Sequence, residues 1–222
     1  MRSSVRLHAA AALSIGLACM PAASVARRSI ADWTIEAEDP ATRVTERAGV
    51  IDIDTAKGLT LWWREPVSAP VVISFEAMAV SEGGTNDRVS DLNAFWMAHE
   101  DDGRPVLAHR RSGAFAEYDT LRTYYVGIGG NRNSTTRFRR YVGRAGNRPL
   151  LVDHDKREAA DMLVPNRWTR IRLIADGHAI AVYRDGRRLF TLDDPAPYTR
   201  GHFGLRTTWS HLRIRHVSIV HR

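Results

Sequence analysis

The sequence predicts an all-β domain, a sandwich or barrel. No long stretch carries apolar residues at the 3.6-residue period of a helix. Short runs rich in Val, Ile, Thr, Tyr, Phe and Trp recur instead, separated by clusters of Gly, Pro, Asn and Asp. One tight-turn signal, RDGR at 184–187, sits between two such runs, with Asp-Gly suited to the positive φ angles of a hairpin. No internal repeat or low-complexity linker divides the chain, so one domain is expected.

Residues 1–26 stand apart. Arg2 and Arg6 precede an apolar run, LHAAAALSIGLACM, and a small-residue exit, PAASVA, with Ser24 and Ala26 at the small positions. That order is the pattern of an export signal, expected to be cleaved after about Ala26. The run is too short and alanine-rich for a membrane span. Lipid attachment at Cys19 is disfavoured by Gly16, which stands where a bulky aliphatic is expected. The expected mature domain, residues 27–222, is periplasmic or secreted. It lacks cysteine and is large enough to fold without disulfides.

The 222-residue chain carries a formal net charge of +7. Without Arg2 and Arg6, 30 basic side chains stand against 25 acidic ones, and Lys57 and Lys156 are the only lysines. The arginine excess reads either as coding bias or as planar forks for anionic groups. An exported protein meets little nucleic acid, so an acidic polysaccharide or oligosaccharide is the expected partner, bound by a monomer.

The predicted strands run, in order, through WTIEAE (33–38), GVIDIDT (49–55), GLTLWW (58–63), PVVISFEAMAV (70–80), DLNAFWMAH (91–99), TYYVGIGG (123–130) and TTRFRRYVG (135–143). They continue through WTRIRLIAD (168–176), HAIAVYRDG (178–186), RRLFTLDD (187–194), GHFGLRTT (201–208) and RIRHVSIV (213–220). The order of the C-terminal third resembles the closing strands of the concanavalin A-like jelly rolls of lectins, glucanases and several polysaccharide lyases. The strings RVSDLNAFWMA, TYYVGIGGNRNSTTRFRRY and GLRTTWSH resemble a family of exported bacterial jelly-roll proteins associated with the breakdown of uronic-acid polysaccharides. The resemblance implies a two-sheet antiparallel jelly roll with a ligand groove on its concave sheet.

Period-two alternation then sorts candidate residues. In 135–142, Phe138 and Val142 mark the core side, so Thr135, Arg137, Arg139 and Tyr141 face the groove. Arg140 falls on the core side, where an unpaired charge is unfavourable. It should pair with an acid such as Asp91 or mark where the strand leaves the sheet. Tyr125, Gly127 and Gly129 lie opposite Tyr124, Val126 and Ile128. Their glycines leave room for a sugar ring to approach the backbone, or else mark a bulge or bend. Asp91, Asn93, Phe95 and Met97 lie opposite Leu92, Ala94 and Trp96. Phe203 and Leu205 put Arg206 and Thr208 toward the groove, with His211 just past the strand end. Asn131 and Asn133 belong at the groove edge. Trp209 and one of Trp62 and Trp63 are candidates to stack on a sugar ring; Trp33, Trp96 and Trp168 read as core.

No E-x-D-x-x-E pair, H-E-x-x-H helix or G-x-S-x-G elbow is present. The inventory suits β-elimination at a uronide better. Arginines would neutralise the C6 carboxylate, and tyrosine and histidine would move protons. Arg137, Tyr141 and His211 are the catalytic candidates. Asp91, Asn93, Tyr125, Asn131, Asn133, Thr135, Arg139, Arg206 and Trp209 are the substrate-binding ones. The set resembles the Arg/His/Tyr constellations of jelly-roll lyases. A non-catalytic binding module remains open, as does a glycoside hydrolase using Asp87, Asp91 or Glu117. No cofactor is required; the Asp/Asn-rich stretch 86–93 is compatible with a structural calcium but lacks EF-hand spacing.

Overall fold

The structure, a computed structural model, describes residues 29–222. The export signal assigned to 1–26, with Cys19, lies outside the described residues. Among these residues, no helix is long and apolar enough to cross a membrane.

The strands are β1 (Trp33–Ala37), β2 (Arg43–Arg47), β3 (Val50–Trp63), β4 (Val67–Ser68), β5 (Val71–Ala79), β6 (Leu92–Glu100) and β7 (Leu121–Gly129). They continue with β8 (Thr135–Val142), β9 (Asp155–Lys156), β10 (Thr169–Ala175), β11 (Ala179–Arg184), β12 (Arg187–Asp193) and β13 (Arg200–His221). All pairings are antiparallel, and the sheet follows the order β12-β11-β10-β5-β13-β6-β7-β8-β9. The fold is the expected antiparallel jelly roll.

Two long strands tie its halves together. The β13 residues 202–206 pair with β6, whereas residues 212–221 pair with β5. Its other edge follows β3 from Gly204↔Trp62 to Arg215↔Val50. Two runs read separately in the sequence, 49–55 and 58–63, are therefore one strand. So are 201–208 and 213–220, joined through a register shift between Thr208 and Ser210, with Trp209 at φ 42°. His211 consequently lies mid-strand rather than past a strand end. The β11–β12 turn matches the expected hairpin, with Asp185 at φ 50° and Gly186 at φ 82°.

The inner faces of both halves share one core. Ile73, Phe75, Ile171, Leu173 and Val182 meet Trp96, Tyr124, Val126, Phe138, Phe203 and Leu205 there. Phe138 is 1% exposed and stacks on Phe190, with ring centroids 6.0 Å apart. The core side assigned to Phe138, Phe203 and Leu205 holds, whereas Val142 is half-buried. Met97 also joins this core, not the groove side. A register shift between Trp96 and His99, with Met97 at φ 56°, interrupts the alternation. Arg140 pairs with Asp194 rather than Asp91: Nε donates to Oδ2 at 2.6 Å, while the guanidinium lies 4.2 Å from the Tyr198 ring centre.

Trp62 and Trp63 face opposite ways, as alternation requires, yet both are buried. Neither is free to stack on a sugar. Trp168 departs from its core assignment. It is half-buried on the outer face of β10's half, with the Arg215 guanidinium 3.9 Å from its ring centre.

Candidate functional site

The site grows from a cross-strand row. Antiparallel register sets Arg206 of β13 beside Asn93 of β6, Asn93 beside Gly127 of β7, Gly127 beside Arg137 of β8, and Arg137 beside Asp155 of β9. The next row sets Phe95 beside Tyr125 and Tyr125 beside Arg139. These side chains turn away from the main core. A second aromatic cluster, including Trp62, Phe95, Tyr118, Tyr125 and Tyr141, floors the surface. Beneath it, the buried Glu36 carboxylate accepts hydrogen bonds from Trp62 Nε1 (2.9 Å), Tyr118 Oη (2.8 Å) and Arg111 N (2.9 Å). A buried carboxylate requires such donors, and these lock the indole and phenol that form the floor.

Above that floor is a cavity of about 150 Å3. It is lined by Asp91, Phe115, Tyr125, Gly127, Asn131, Thr135, Arg137, Arg139, Tyr141 and Arg148, among others. The structure thus brings together most of the residues that alternation selected. Gly127 is required, although not to admit a sugar ring. A Cβ there would lie 2.7 Å from Tyr125 Oη and 2.9 Å from Asn93 Oδ1, so the chain's own polar groups fill the space. Gly129, at φ 68°, begins a left-handed turn continued by Asn131, Arg132 and Asn133 at φ 53°, 61° and 59°. Asn residues accept that conformation more readily than most. The turn puts Asn131 on the cavity wall, its Nδ2 donating to Thr135 Oγ1 at 3.1 Å. Asn133 is a staple instead: its Nδ2 donates to Leu163 O and its Oδ1 accepts from Leu163 N.

The arginines differ in what they have left to offer. Arg137 is bound by Asp155 through a two-bond fork at 2.9 and 3.1 Å. Arg148, which the sequence reading did not select, pairs with Asp119 at 2.5 Å and lies over Phe115. Arg139 donates to the Arg148 carbonyl, and Arg206 to Thr60 Oγ1 and Gly113 O. Among the described residues, neither Arg139 nor Arg206 has a carboxylate salt-bridge partner. Burial lowers the pKa of both guanidiniums, the sign of cations that have lost solvent.

Asp91 and Tyr141 are the titratable counterparts. Asp91 stands at the start of β6 with φ 58°, accepts a short hydrogen bond from Ser90 Oγ, and is half-buried. Burial raises its pKa against the opposing effects of Ser90, Arg88 and Asn93. Burial also pushes the Tyr141 and Tyr125 phenols up, so both remain protonated near neutral pH. The Tyr141 hydroxyl and Asn93 Oδ1 are fully buried, and neither has a hydrogen-bond partner. The other such atoms among the described residues are the indole nitrogens of Trp33 and Trp96 in the main core.

Two candidates lie elsewhere. His211 is held between carboxylates, Nδ1 2.8 Å from Asp87 Oδ1 and Nε2 3.0 Å from Asp52 Oδ1, and is absent from the cavity lining. Trp209 is 48% exposed at the β13 bulge, with the Arg88 guanidinium 4.3 Å from its ring centre. No group of three or more His, Cys, Asp or Glu suited to a metal is found among the described residues. In the stretch considered for calcium, Asn86 binds Asp54, Asp87 binds His211 and backbone amides, and Asp91 binds Ser90. Besides Arg148, the sequence reading missed Phe115, Tyr118, Glu36 and Asp119. All but Glu36 lie in loops or short 3-10 turns, where no strand period exists to point at them.

The family model DUF6250, described as a domain of unknown function, matches residues 53–217, a span that includes β6, β7, β8, β9 and every residue named in the cavity lining. The chain belongs to the DUF6250 family. No curated protein matches the sequence. This DUF6250 chain resembles a galectin-like protein of unknown function from Bacillus subtilis, with TM-score 0.65 and 15% identity over 87% of this chain and 92% of that one. It also resembles the carbohydrate-binding module CBM66 from Bacillus subtilis, with TM-score 0.57 and 10% identity over 85% and 94% of the respective chains. A third likeness is to the exoplasmic/lumenal domain of VIP36 in a Ca2+/Man-bound form, with TM-score 0.58 and 9% identity over 86% and 83%. At these identities the likeness establishes the jelly-roll fold.

Proposed function

We propose that this DUF6250 domain is an exported carbohydrate-active protein that cleaves a uronic-acid-containing glycan by β-elimination. One observation carries the reading: a carboxyl of raised pKa, Asp91, and an unpartnered buried phenol, Tyr141, share a cavity with a guanidinium that no carboxylate neutralises, Arg139. Arg206, equally unneutralised, stacks on the lining residue Phe115 at 4.7 Å. The carbohydrate modules and domains among the fold neighbours support a sugar as ligand.

The chemistry divides between the groups. Arg139 binds the C6 carboxylate and so acidifies the C5 proton, and the buried Arg206, outside the cavity lining, adds its charge from beside Phe115. Asp91, a stronger base than an exposed carboxylate, takes that proton. The C5 electron pair forms the C4–C5 double bond as the C4–O bond breaks, and Tyr141, held neutral by burial, protonates the departing oxygen. Arg137, spent on Asp155, orients the wall, and His211 takes no part. A second reading, a binding module without turnover, is favoured by the carbohydrate-binding module among the neighbours. Incubation with a panel of pectic, algal and bacterial acidic polysaccharides separates the two. Ultraviolet absorbance of an unsaturated uronide supports elimination. Retention on the glycan without product supports binding alone, and new reducing ends without the chromophore support hydrolysis.

A further inference from the structure

A second groove, of about 850 Å3, opens on the other half of the sandwich, lined by outward-facing residues of β5, β10, β11 and β13. Since the inner faces of both halves share one core, this groove and the Tyr141 cavity lie on opposite sides of the molecule. Its centre is one carboxylate, Glu76. Register sets Glu76 beside Arg170 on β10 and beside Arg215 on β13. Arg170 Nη2 donates to Oε1 at 2.9 Å and Arg215 Nε to Oε2 at 2.8 Å, with His216 Nδ1 3.3 Å away. Arg172, two residues from Arg170 on the same face, lies 4.4 Å over the Tyr183 ring and bonds no carboxylate.

Cations therefore outnumber the carboxylate they share. Arg170 and Arg215 cross two strand spacings, roughly 10 Å, and Arg172 is about 7 Å further along the strand. Each guanidinium carries five N–H donors, and no more than one of each is spent on Glu76. The Arg172 and Arg215 guanidiniums rest over the Tyr183 and Trp168 rings, contacts that hold the forks in place. Fixed forks at such spacings suit an extended chain of carboxylates rather than one small anion.

We propose that this groove is a second, non-catalytic binding site for a linear carboxylated polysaccharide, which it holds to the protein while the opposite cavity acts on chain ends or neighbouring chains. The test uses the full domain in affinity electrophoresis through gels containing polygalacturonate, across a salt series. The parent, R170S/R172S and R104S are compared, with unfolding midpoints confirming intact folds. Arg170 and Arg172 are exposed, so the double variant should fold. Its affinity for the polymer should fall about tenfold or more, the scale of one charge-assisted hydrogen bond lost. R104S, which removes an exposed arginine outside both cavities, should be retained like the parent. R172K, which keeps the charge but not the planar fork, should show an intermediate loss. Equal retention of R170S/R172S and the parent overturns the proposal. So does retention of the parent on double-stranded DNA as strong as on polygalacturonate with the same loss in the variant, which would make the groove a general polyanion surface. Retention is scored without turnover, so a failure of the elimination reading leaves this result interpretable.

Discussion

His211 Nδ1 lies 2.8 Å from Asp87 Oδ1 while its Nε2 lies 3.0 Å from Asp52 Oδ1, so a single imidazole ties the 81–91 loop to strands β3 and β13. Burial alone would lower the His211 pKa, but the hydrogen bonds to Asp87 and Asp52 outweigh it and raise it. The folded state then binds the proton more tightly than the unfolded chain. This stabilisation is complete below the unfolded value of about 6.5 and is lost as pH rises through the raised folded value. Asp87 has the opposite sign. Burial opposes its ionisation, yet the Gly84 and Glu82 amides and His211 hold its pKa down. Its contribution is present above about pH 3.9 and lost as pH falls through the lowered value. The melting temperature of the parent should therefore decline from mildly acidic to mildly alkaline pH, and H211N should flatten that decline. Parallel curves for the two proteins would remove the assigned role.

Tyr141→Phe removes one oxygen that has no partner in the folded protein. The desolvation cost of that hydroxyl, about 1–3 kcal/mol, disappears with it. The variant should thus melt no lower than the parent. If Tyr141 protonates the leaving oxygen, turnover on the acidic glycan should fall about 10²–10⁴-fold. Stability and turnover should move in opposite directions, which a merely structural tyrosine would not produce. Thermal unfolding beside single-substrate kinetics checks both.

Phe138→Ala tests the face assignment of β8. The ring is buried among Trp96, Tyr124, His154 and Phe190. Truncation should cost about 3–5 kcal/mol, measured by urea unfolding, with the slope of the transition unchanged. A loss below about 1 kcal/mol would mean that the site can collapse around the gap.

Alternation made the face of β8 legible: once Phe138 is inside, Thr135, Arg137, Arg139 and Tyr141 must share the other side. It failed at Met97 and at His211 for one reason. A bulge shifts the period by one residue, and nothing in WMAH or TTWSH announces it. Pairing was hidden for another reason. Asp155 reaches Arg137, and Asp194 reaches Arg140, across 18 and 54 residues, so the sequence showed forks but not which were already occupied. Arg148 and Phe115 enter the cavity from irregular segments, where no residue pattern specifies a direction.

That occupancy gives the last prediction. Arg137 and Arg139 sit two residues apart on one face, but Arg137 is paired with Asp155, which Arg157 shares, and Arg139 with no carboxylate. Lysine in place of either keeps the charge and loses the planar fork. For Arg137→Lys the loss should register as stability, through the pair with Asp155. A double-mutant cycle with Asp155→Asn should give a coupling of about 0.5–3 kcal/mol. For Arg139→Lys the loss should register in kcat/KM on the acidic glycan, with little change in unfolding free energy. If instead Arg137→Lys impairs kcat/KM as strongly as Arg139→Lys and shows no coupling to Asp155, then Asp155 releases Arg137 when ligand binds, and the carboxylate clamp includes Arg137 as well as Arg139.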